Sequence, residues 1–129
     1  MSDINKQKSP FWDYINMKEL LSENGKSVVE IIVFPDLLQR RGYIHGGVIA
    51  TLIDASIGSA VRSQLKKGEV SATVELKTNF IRPATGLKLI GKASVKQRGK
   101  TLAVGTSEIF DDQEKLIAIG TATFIIQGQ

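Results

Sequence analysis

The sequence contains no cysteine and a single histidine among its 129 residues. The absence of cysteine excludes disulfide bonds, a thiolate nucleophile, and zinc or iron–sulfur sites ligated by cysteine. One histidine also excludes a metal site built from several imidazoles. We therefore expect no metal centre and no resident cofactor.

Long hydrophobic runs and segregated charge are missing as well. No apolar stretch approaches the ~20 residues that a membrane-spanning helix needs, and charges are scattered through residues 1–17, where a signal peptide would be apolar. These features predict a cytoplasmic protein that does not bind membranes. The 17 basic and 13 acidic side chains give a net charge of +4. Because the basic residues are dispersed, a small phosphorylated ligand is favoured over nucleic acid.

The composition is typical of one globular domain, with 42% hydrophobic and 23% charged residues. No internal repeat or linker divides the chain. We predict a single domain over residues 1–129, in which residues 1–9 are frayed.

The first third of the chain predicts a short helix and a strand. Ser9-Pro10 is typical of a helix start, and the aromatic residues that follow predict an amphipathic helix through Leu20 that ends at Asn24-Gly25. The β-branched run from Ser27 to Phe34 predicts a strand. Residues 35–44 are expected to form a loop.

A helical period begins at Gly46 and continues to about Leu65, with Gly68 as the expected stop. Such a helix is ~30 Å long, about the width of the whole domain, so it must be central. Its apolar residues recur at steps of three and four: Val48, Ile49, Leu52, Ile53, Ile57, Ala60, Val61 and Leu65.

The rest of the chain alternates as strands do. In the first of these segments Val74 and Leu76 alternate with Thr73 and Glu75, and three further segments run over 87–95, 102–110 and 116–126. The turns between the last strands are short, which favours antiparallel pairing. The sequence thus predicts an α+β fold, in which an antiparallel sheet of five to six strands wraps around one long central helix.

The last strand carries apolar residues at both odd and even positions. Ile117, Ile119 and Ile125 alternate with residues such as Phe124 and Ile126, which predicts a sheet that is apolar on both faces. With no helix left to cover the second face, a second copy of the chain is the expected cover. We predict a homodimer or a homotetramer.

The segment from Gln39 to Gly47 leads directly into the long helix and carries the only histidine, His45. Gly46 and Gly47 are poor choices for helix stability, since each costs ~1 kcal/mol relative to alanine. They do let a ligand approach the unpaired amides at the positive end of the helix dipole, where an oxyanion or a carbonyl oxygen binds well. A tight turn with no ligand is the alternative interpretation.

Asp54 is the second unexpected residue. It lies on the flank of the apolar stripe, where a carboxylate loses part of its hydration, as suits a general base. A half-exposed aspartate paired with a lysine is the alternative. His45 is a candidate base, a ligand-orienting donor, or a residue that only caps the helix.

These residues resemble the motif of the PaaI-type acyl-CoA thioesterases of the hotdog superfamily. The match consists of His45-Gly46-Gly47, Asp54 nine residues after the histidine, and the stretch from Thr73 to Ala84. It extends from about Ser27 to Ile126. The resemblance implies a hotdog fold and hydrolysis of an acyl-CoA to a carboxylic acid and free CoA.

The resemblance also implies roles for individual residues. The catalytic carboxylate falls on Asp54, the amide that polarises the thioester carbonyl on Gly46, and an assisting side-chain amide on Gln39. His45 would orient the loop and the substrate, and Thr73 would help to position water. One departure is Gly58, where some relatives carry a threonine.

The implied mechanism needs a neighbouring chain. Gly46 and Asp54 are ~12 Å apart on one helix, too far for both to contact one thioester carbon. Two antiparallel helices related by a dyad would bring Gly46 of one chain near Asp54 of the other, which indicates a shared site. Whether Asp54 activates water or attacks the carbonyl directly stays open, and so do the acyl group and the choice between dimer and tetramer.

The CoA phosphates require cations. Together with Gly47, the candidate binding residues are Arg82, Arg98 and Lys100, with Arg40 and Arg41 behind them. Two alternatives to hydrolysis remain: a hotdog dehydratase or hydratase that acts on acyl thioesters, and a non-catalytic acyl-CoA-binding protein.

Overall fold

The computed structural model describes residues 9–128 and contains two α-helices and six strands. The helices are α1 (Pro10–Tyr14) and α2 (Gly46–Arg62), and a short 3-10 turn covers Pro35–Leu37. The strands are β1 (Met17–Glu23), β2 (Lys26–Ile32), β3 (Glu69–Phe80), β4 (Lys88–Arg98), β5 (Leu102–Asp111) and β6 (Leu116–Gly128). The predicted fraying of residues 1–9 concerns mainly residues outside the described range.

All six strands belong to one antiparallel sheet in the order β1-β2-β4-β5-β6-β3. β1 and β3 are therefore the two edges. α2 packs across the inner face of this sheet and contacts every strand. This confirms the predicted α+β fold, with a sheet wrapped around one long helix.

The predicted first helix is wrong beyond its first turns. Ser9 caps α1 as expected, but the helix ends at Tyr14, and residues 17–23 form a strand. Asn16 has a φ of +58° and turns the chain out of the helix. Asn24 and Gly25 both have positive φ, as the tight turn of a β-hairpin requires, so this pair joins β1 to β2 rather than ending a helix.

α2 is also shorter than predicted, because it ends at Arg62 rather than near Leu65. Gly68, the expected stop, has a φ of +84° and lies in the turn that precedes β3. With 17 residues the helix is ~25 Å long. Its central position is confirmed, since Leu52, Ile53 and Ile57 are fully buried.

Glycines beneath α2 allow the helix to approach the sheet closely. A Cβ at Gly105 would lie 2.7 Å from the side chain of Ile57, and a Cβ at Gly120 would lie 2.6 Å from that of Ile53. At both positions a larger residue would force the helix away from the sheet. This contact fixes which side of α2 faces each strand.

The sequence predicted that the outer face of the sheet is apolar, and this prediction is wrong at the centre of that face. Ile117 lies at a bulge and is buried, whereas Ile119 is exposed. The simple alternation failed because the bulge changes which residues of β6 face outward. A polar groove occupies the centre of this face, lined by residues that include Lys77, Lys92, Lys96, Thr106, Glu108 and Thr121.

Candidate active site

The loop before α2 is fixed at three points. The amide of Ile44 donates to the carbonyl of Ala84 (2.9 Å), and the amide of His45 donates to the carbonyl of Leu37 (2.9 Å). Leu38 and Ile44 also form an isolated β-bridge. These bonds hold the start of α2 against the segment that follows β3, so the two stretches of the motif meet in space.

His45 is the N-cap of α2. Its Nδ1 accepts a hydrogen bond from the amide of Gly47 (2.9 Å), and its carbonyl accepts from the amides of Val48 and Ile49. His45 therefore caps the helix, and the amide of Gly47 is occupied.

The amide of Gly46 is different from the other amides of the first turn. Within residues 9–128 it has no acceptor, whereas the amides of Gly47, Val48 and Ile49 are all bonded to His45. It also lies at the positive end of the helix dipole. The ring of Phe80 borders it, 3.4 Å from where a Cβ of Gly46 would stand.

Gln39 folds back onto its own loop. Its side-chain oxygen Oε1 accepts from the backbone amides of Arg41 and Tyr43, and Gly42 closes the turn with a φ of +89°. Because the oxygen is held, the NH₂ group is left as the free end of the side chain, and it donates to no atom within the described part of the chain.

Asp54 and Thr73 form a direct pair. Oγ1 of Thr73 donates to Oδ1 of Asp54 at 2.7 Å. Among the described residues Asp54 takes part in no salt bridge, and its side chain is only partly exposed. The interpretation of Asp54 as one half of a lysine pair is therefore wrong, and its second carboxylate oxygen remains available.

A β-bulge places Thr73 beside Asp54. Simple alternation put Thr73 on the face opposite Leu76, but the register between β3 and β6 shifts between Thr73 and Glu75. The extra residue, Val74, brings Thr73 onto the inner face that Leu76 and Phe80 occupy. Alternation in the sequence gave no sign of this shift.

The candidate cations do not lie together. Arg98 donates to Glu69 at 2.8 Å and also to the carbonyl of Gly99, while Lys100 is exposed in the same turn. Arg82 follows the other end of β3 and is exposed. Since Glu69 begins β3, Arg82 and Arg98 are ~40 Å apart along one chain.

Besides its salt bridge with Arg98, the carboxylate of Glu69 accepts a hydrogen bond from the backbone. The amide of Lys66 donates to its carboxylate at 2.8 Å, and this bond, together with the guanidinium of Arg98, lowers the pKa of Glu69 below its ordinary value.

No group of three histidine, aspartate or glutamate side chains in residues 9–128 is placed to hold a metal ion. In the same part of the chain no helix is long and apolar enough to cross a membrane.

Comparison with known proteins identifies the family. The family model described as "Thioesterase superfamily" matches residues 41–118. The chain is 31% identical over 107 residues to a 1,4-dihydroxy-2-naphthoyl-CoA hydrolase of Listeria monocytogenes, covering 81% of this chain and 85% of that protein. It is 28% identical over 96 residues to a medium/long-chain acyl-CoA thioesterase of Escherichia coli, covering 64% of this chain and 62% of that protein.

A solved structure gives the same result. A Bacillus halodurans protein crystallised with CoA superposes with a TM-score of 0.88 at 27% identity, covering 96% of this chain and 82% of that one. The chain spans about 60% of the length of the E. coli relative and of a Halobacterium salinarum relative. The chain belongs to the thioesterase superfamily and is a thioester hydrolase with the hotdog fold.

Proposed function

We propose that the protein hydrolyses acyl-CoA thioesters to a carboxylic acid and free CoA, at a site shared by two copies of the chain. The observation that carries this proposal is the amide of Gly46 at the start of α2, which has no acceptor within residues 9–128, on the same helix as a carboxylate that forms no salt bridge with any residue of that range. The Listeria relative is named for a CoA hydrolase and the Bacillus relative was crystallised with CoA, which supports this class of substrate.

The chemistry needs one electrophilic and one basic group. The amide of Gly46 and the NH₂ of Gln39 donate to the thioester oxygen as it gains negative charge. Asp54 takes a proton from a water molecule, which attacks the carbonyl carbon. The tetrahedral intermediate then collapses, the carbon–sulfur bond breaks, and CoA leaves as a thiolate, which takes the proton from Asp54 to give free CoA and restore the carboxylate. Direct attack by Asp54, through a mixed anhydride, uses the same residues.

The β3 edge provides the geometry for a shared site. Thr73, near the middle of β3, contacts Asp54, and Phe80, at the end of β3, contacts Gly46, both on the inner face of the strand. If β3 pairs with β3 of a second copy around a dyad near Leu76, Thr73 of one chain lies opposite Phe80 of the other. The carboxylate of one copy then faces the Gly46 amide of its partner.

The same dyad brings the separated cations together. Antiparallel pairing of the two β3 edges places Arg82 of one chain near the Arg98–Lys100 turn of the other. Because Arg98 is bonded to Glu69, we assign the phosphate contacts mainly to Arg82 and Lys100. A tetramer would be a dimer of such dimers.

The first test replaces the carboxylate. Asp54→Asn should lower kcat by a factor of ~10² to 10⁴, the range of general base catalysis, while the free energy of unfolding stays nearly unchanged. Thiol release from a panel of acyl-CoA substrates is the measurement, and Asp36→Asn in the loop is the control. Unchanged turnover in Asp54→Asn would remove Asp54 from the mechanism, and hydration of enoyl-CoA without thiol release would favour a hydratase.

The second test asks whether the site is shared. Gly46→Pro removes the amide hydrogen, yet proline suits the first helical position and His45 already has the extended φ and ψ (−61°, 137°) that precede proline. Mixing inactive Gly46→Pro and Asp54→Asn chains should restore about a quarter of the wild-type sites in a two-fold dimer. Gly46→Ala, which keeps the amide, is the control. Heterodimers that form but stay inactive would show that each site lies within one chain.

A further inference from the structure

Phe124 lies next to the candidate site but has no part in the proposed chemistry. It is on the inner face of β6, with 5% of its surface exposed. Its ring packs on Gly58 of α2, where a Cβ would stand 3.3 Å from the ring carbons Cε2 and Cζ. Gly58 follows Asp54 by one helical turn, so both positions lie on the same side of α2.

The ring also borders Thr73. Phe124 and Thr73 are direct partners in the β3–β6 ladder, with side chains on the same face, and the Cβ atoms of such partners are about 5 Å apart. Thr73 in turn donates to Asp54. The ring therefore lies one strand further into the molecule than the Asp54–Thr73 pair, and Gly58 leaves the space that the ring fills.

We infer that Phe124 forms the inner wall of the acyl pocket and limits the length of the acyl group. This inference rests on the proposed function. β1 and the turn after it are bonded to the C-terminal half of α2, whereas the proposed shared site lies where β3 meets the second copy, so the acyl group reaches Asp54 from the β3 side. An acyl chain that continues past Asp54 toward the interior meets the ring.

The structure then predicts which substrates the wall excludes. Removing the ring opens space for about three or four methylene groups beside the carboxylate. Each additional methylene that becomes buried favours binding by about fourfold. The substrate with the highest kcat/KM should therefore become longer, while the chemistry at Asp54 is retained.

The experiment measures kcat/KM for saturated acyl-CoA substrates of increasing length with the full-length protein, by thiol release. Phe124→Ala should move the optimum by about three carbons, and Phe124→Leu, which leaves a smaller cavity and carries the test if the alanine variant does not fold, by about one. Adding Gly58→Ala to Phe124→Ala refills part of the space and should shift the optimum back.

The matched control is Phe110→Ala on β5, whose ring lies 5.3 Å from the amino group of Lys92. It should leave the chain-length profile unchanged. An unchanged profile in folded Phe124→Leu, or the same shift in Phe110→Ala, would overturn the inference. The proposed function fails separately, if the wild type releases no thiol from any acyl-CoA.

Discussion

The two edge strands of the sheet, β1 and β3, differ in how many side-chain hydrogen bonds join them to α2. β1 has seven residues, and its half of the molecule is joined to α2 by side-chain bonds from Ser22, Ser59, Arg62 and Ser63. β3 has twelve residues, and its only side-chain hydrogen bond to α2 among the described residues is that of Thr73 with Asp54. We therefore call β1, which is fastened to α2, the closed edge, and β3, which bonds to α2 through one side chain within residues 9–128, the open edge.

The open edge also carries apolar side chains. On β3, Val74 is 56% exposed and Phe80 is 57% exposed. A long, apolar and unpaired edge strand promotes aggregation unless another chain covers it. Two residues that the family motif implies for catalysis, Asp54 and Gly46, contact this edge through Thr73 and Phe80, so in the proposed dimer covering the strand and completing the site would be one event.

A charge placed at the open edge should have the largest effect on both assembly and activity. Leu76→Asp puts two carboxylates near the proposed dyad, so their repulsion should convert the proposed dimer to a 14.1 kDa monomer and lower activity at least 100-fold by separating the two halves of the proposed site. Sedimentation and thiol release are the measurements. Leu20→Asp on β1, where Leu20 is 51% exposed, is the matched control and should change neither. An active monomeric Leu76→Asp would refute the shared site.

Substitutions near the closed edge should lower the free energy of unfolding but leave kcat/KM nearly unchanged. Trp12 of α1 packs against the core, and its ring lies 5.8 Å from the guanidinium carbon of Arg62. Trp12→Ala should lower the free energy of unfolding by ~3 kcal/mol, because apolar cover near β1 is lost.

Urea unfolding measures this loss, and kcat/KM per folded molecule should stay within about twofold. Tyr14→Ala on the same helix is the control, since Tyr14 is 79% exposed and surface substitutions change stability by about 0.5 kcal/mol or less. A large loss of activity in folded Trp12→Ala would mean that the closed edge contributes to the site.

The two edges also differ in how well the sequence predicts them. α2 was predicted because its apolar stripe is a local pattern that repeats over four turns. β1 was missed because the aromatic residues of α1 and Leu20 fit a helical period, while the decision is made by the positive φ of Asn16 and by the turn at Asn24-Gly25. The backbone conformation at these two positions therefore outweighed a helical pattern of about ten residues.

The candidate site was predicted only in part. His45, Gly46 and Asp54 follow one another on one helix, so spacing alone indicates their relation. The pairing of Thr73 with Asp54 depends on a bulge at Val74, which exists only in the register between β3 and β6. The contact of Phe124 with Gly58 joins residues that are far apart in sequence, and no local pattern records it.

The smallest expected effect concerns the end of β3 that the chain does fasten. The bonds from Lys66 and Arg98 lower the pKa of Glu69, so the charged form is favoured in the folded state. This carboxylate stabilises the folded state above the unfolded-state pKa of 4.5, and the stabilisation is lost as the pH falls through the lower pKa of the folded state.

Glu69→Gln should lower Tm by about 2 °C or less at pH 7, because the ion pair with Arg98 is partly solvated. This difference should shrink as the pH falls below 4.5 and disappear once Glu69 of the wild type is protonated. Glu108→Gln, on the outer face without a salt bridge in residues 9–128, is the control, and a Tm difference for Glu69→Gln that did not shrink with falling pH would contradict this account of the ion pair.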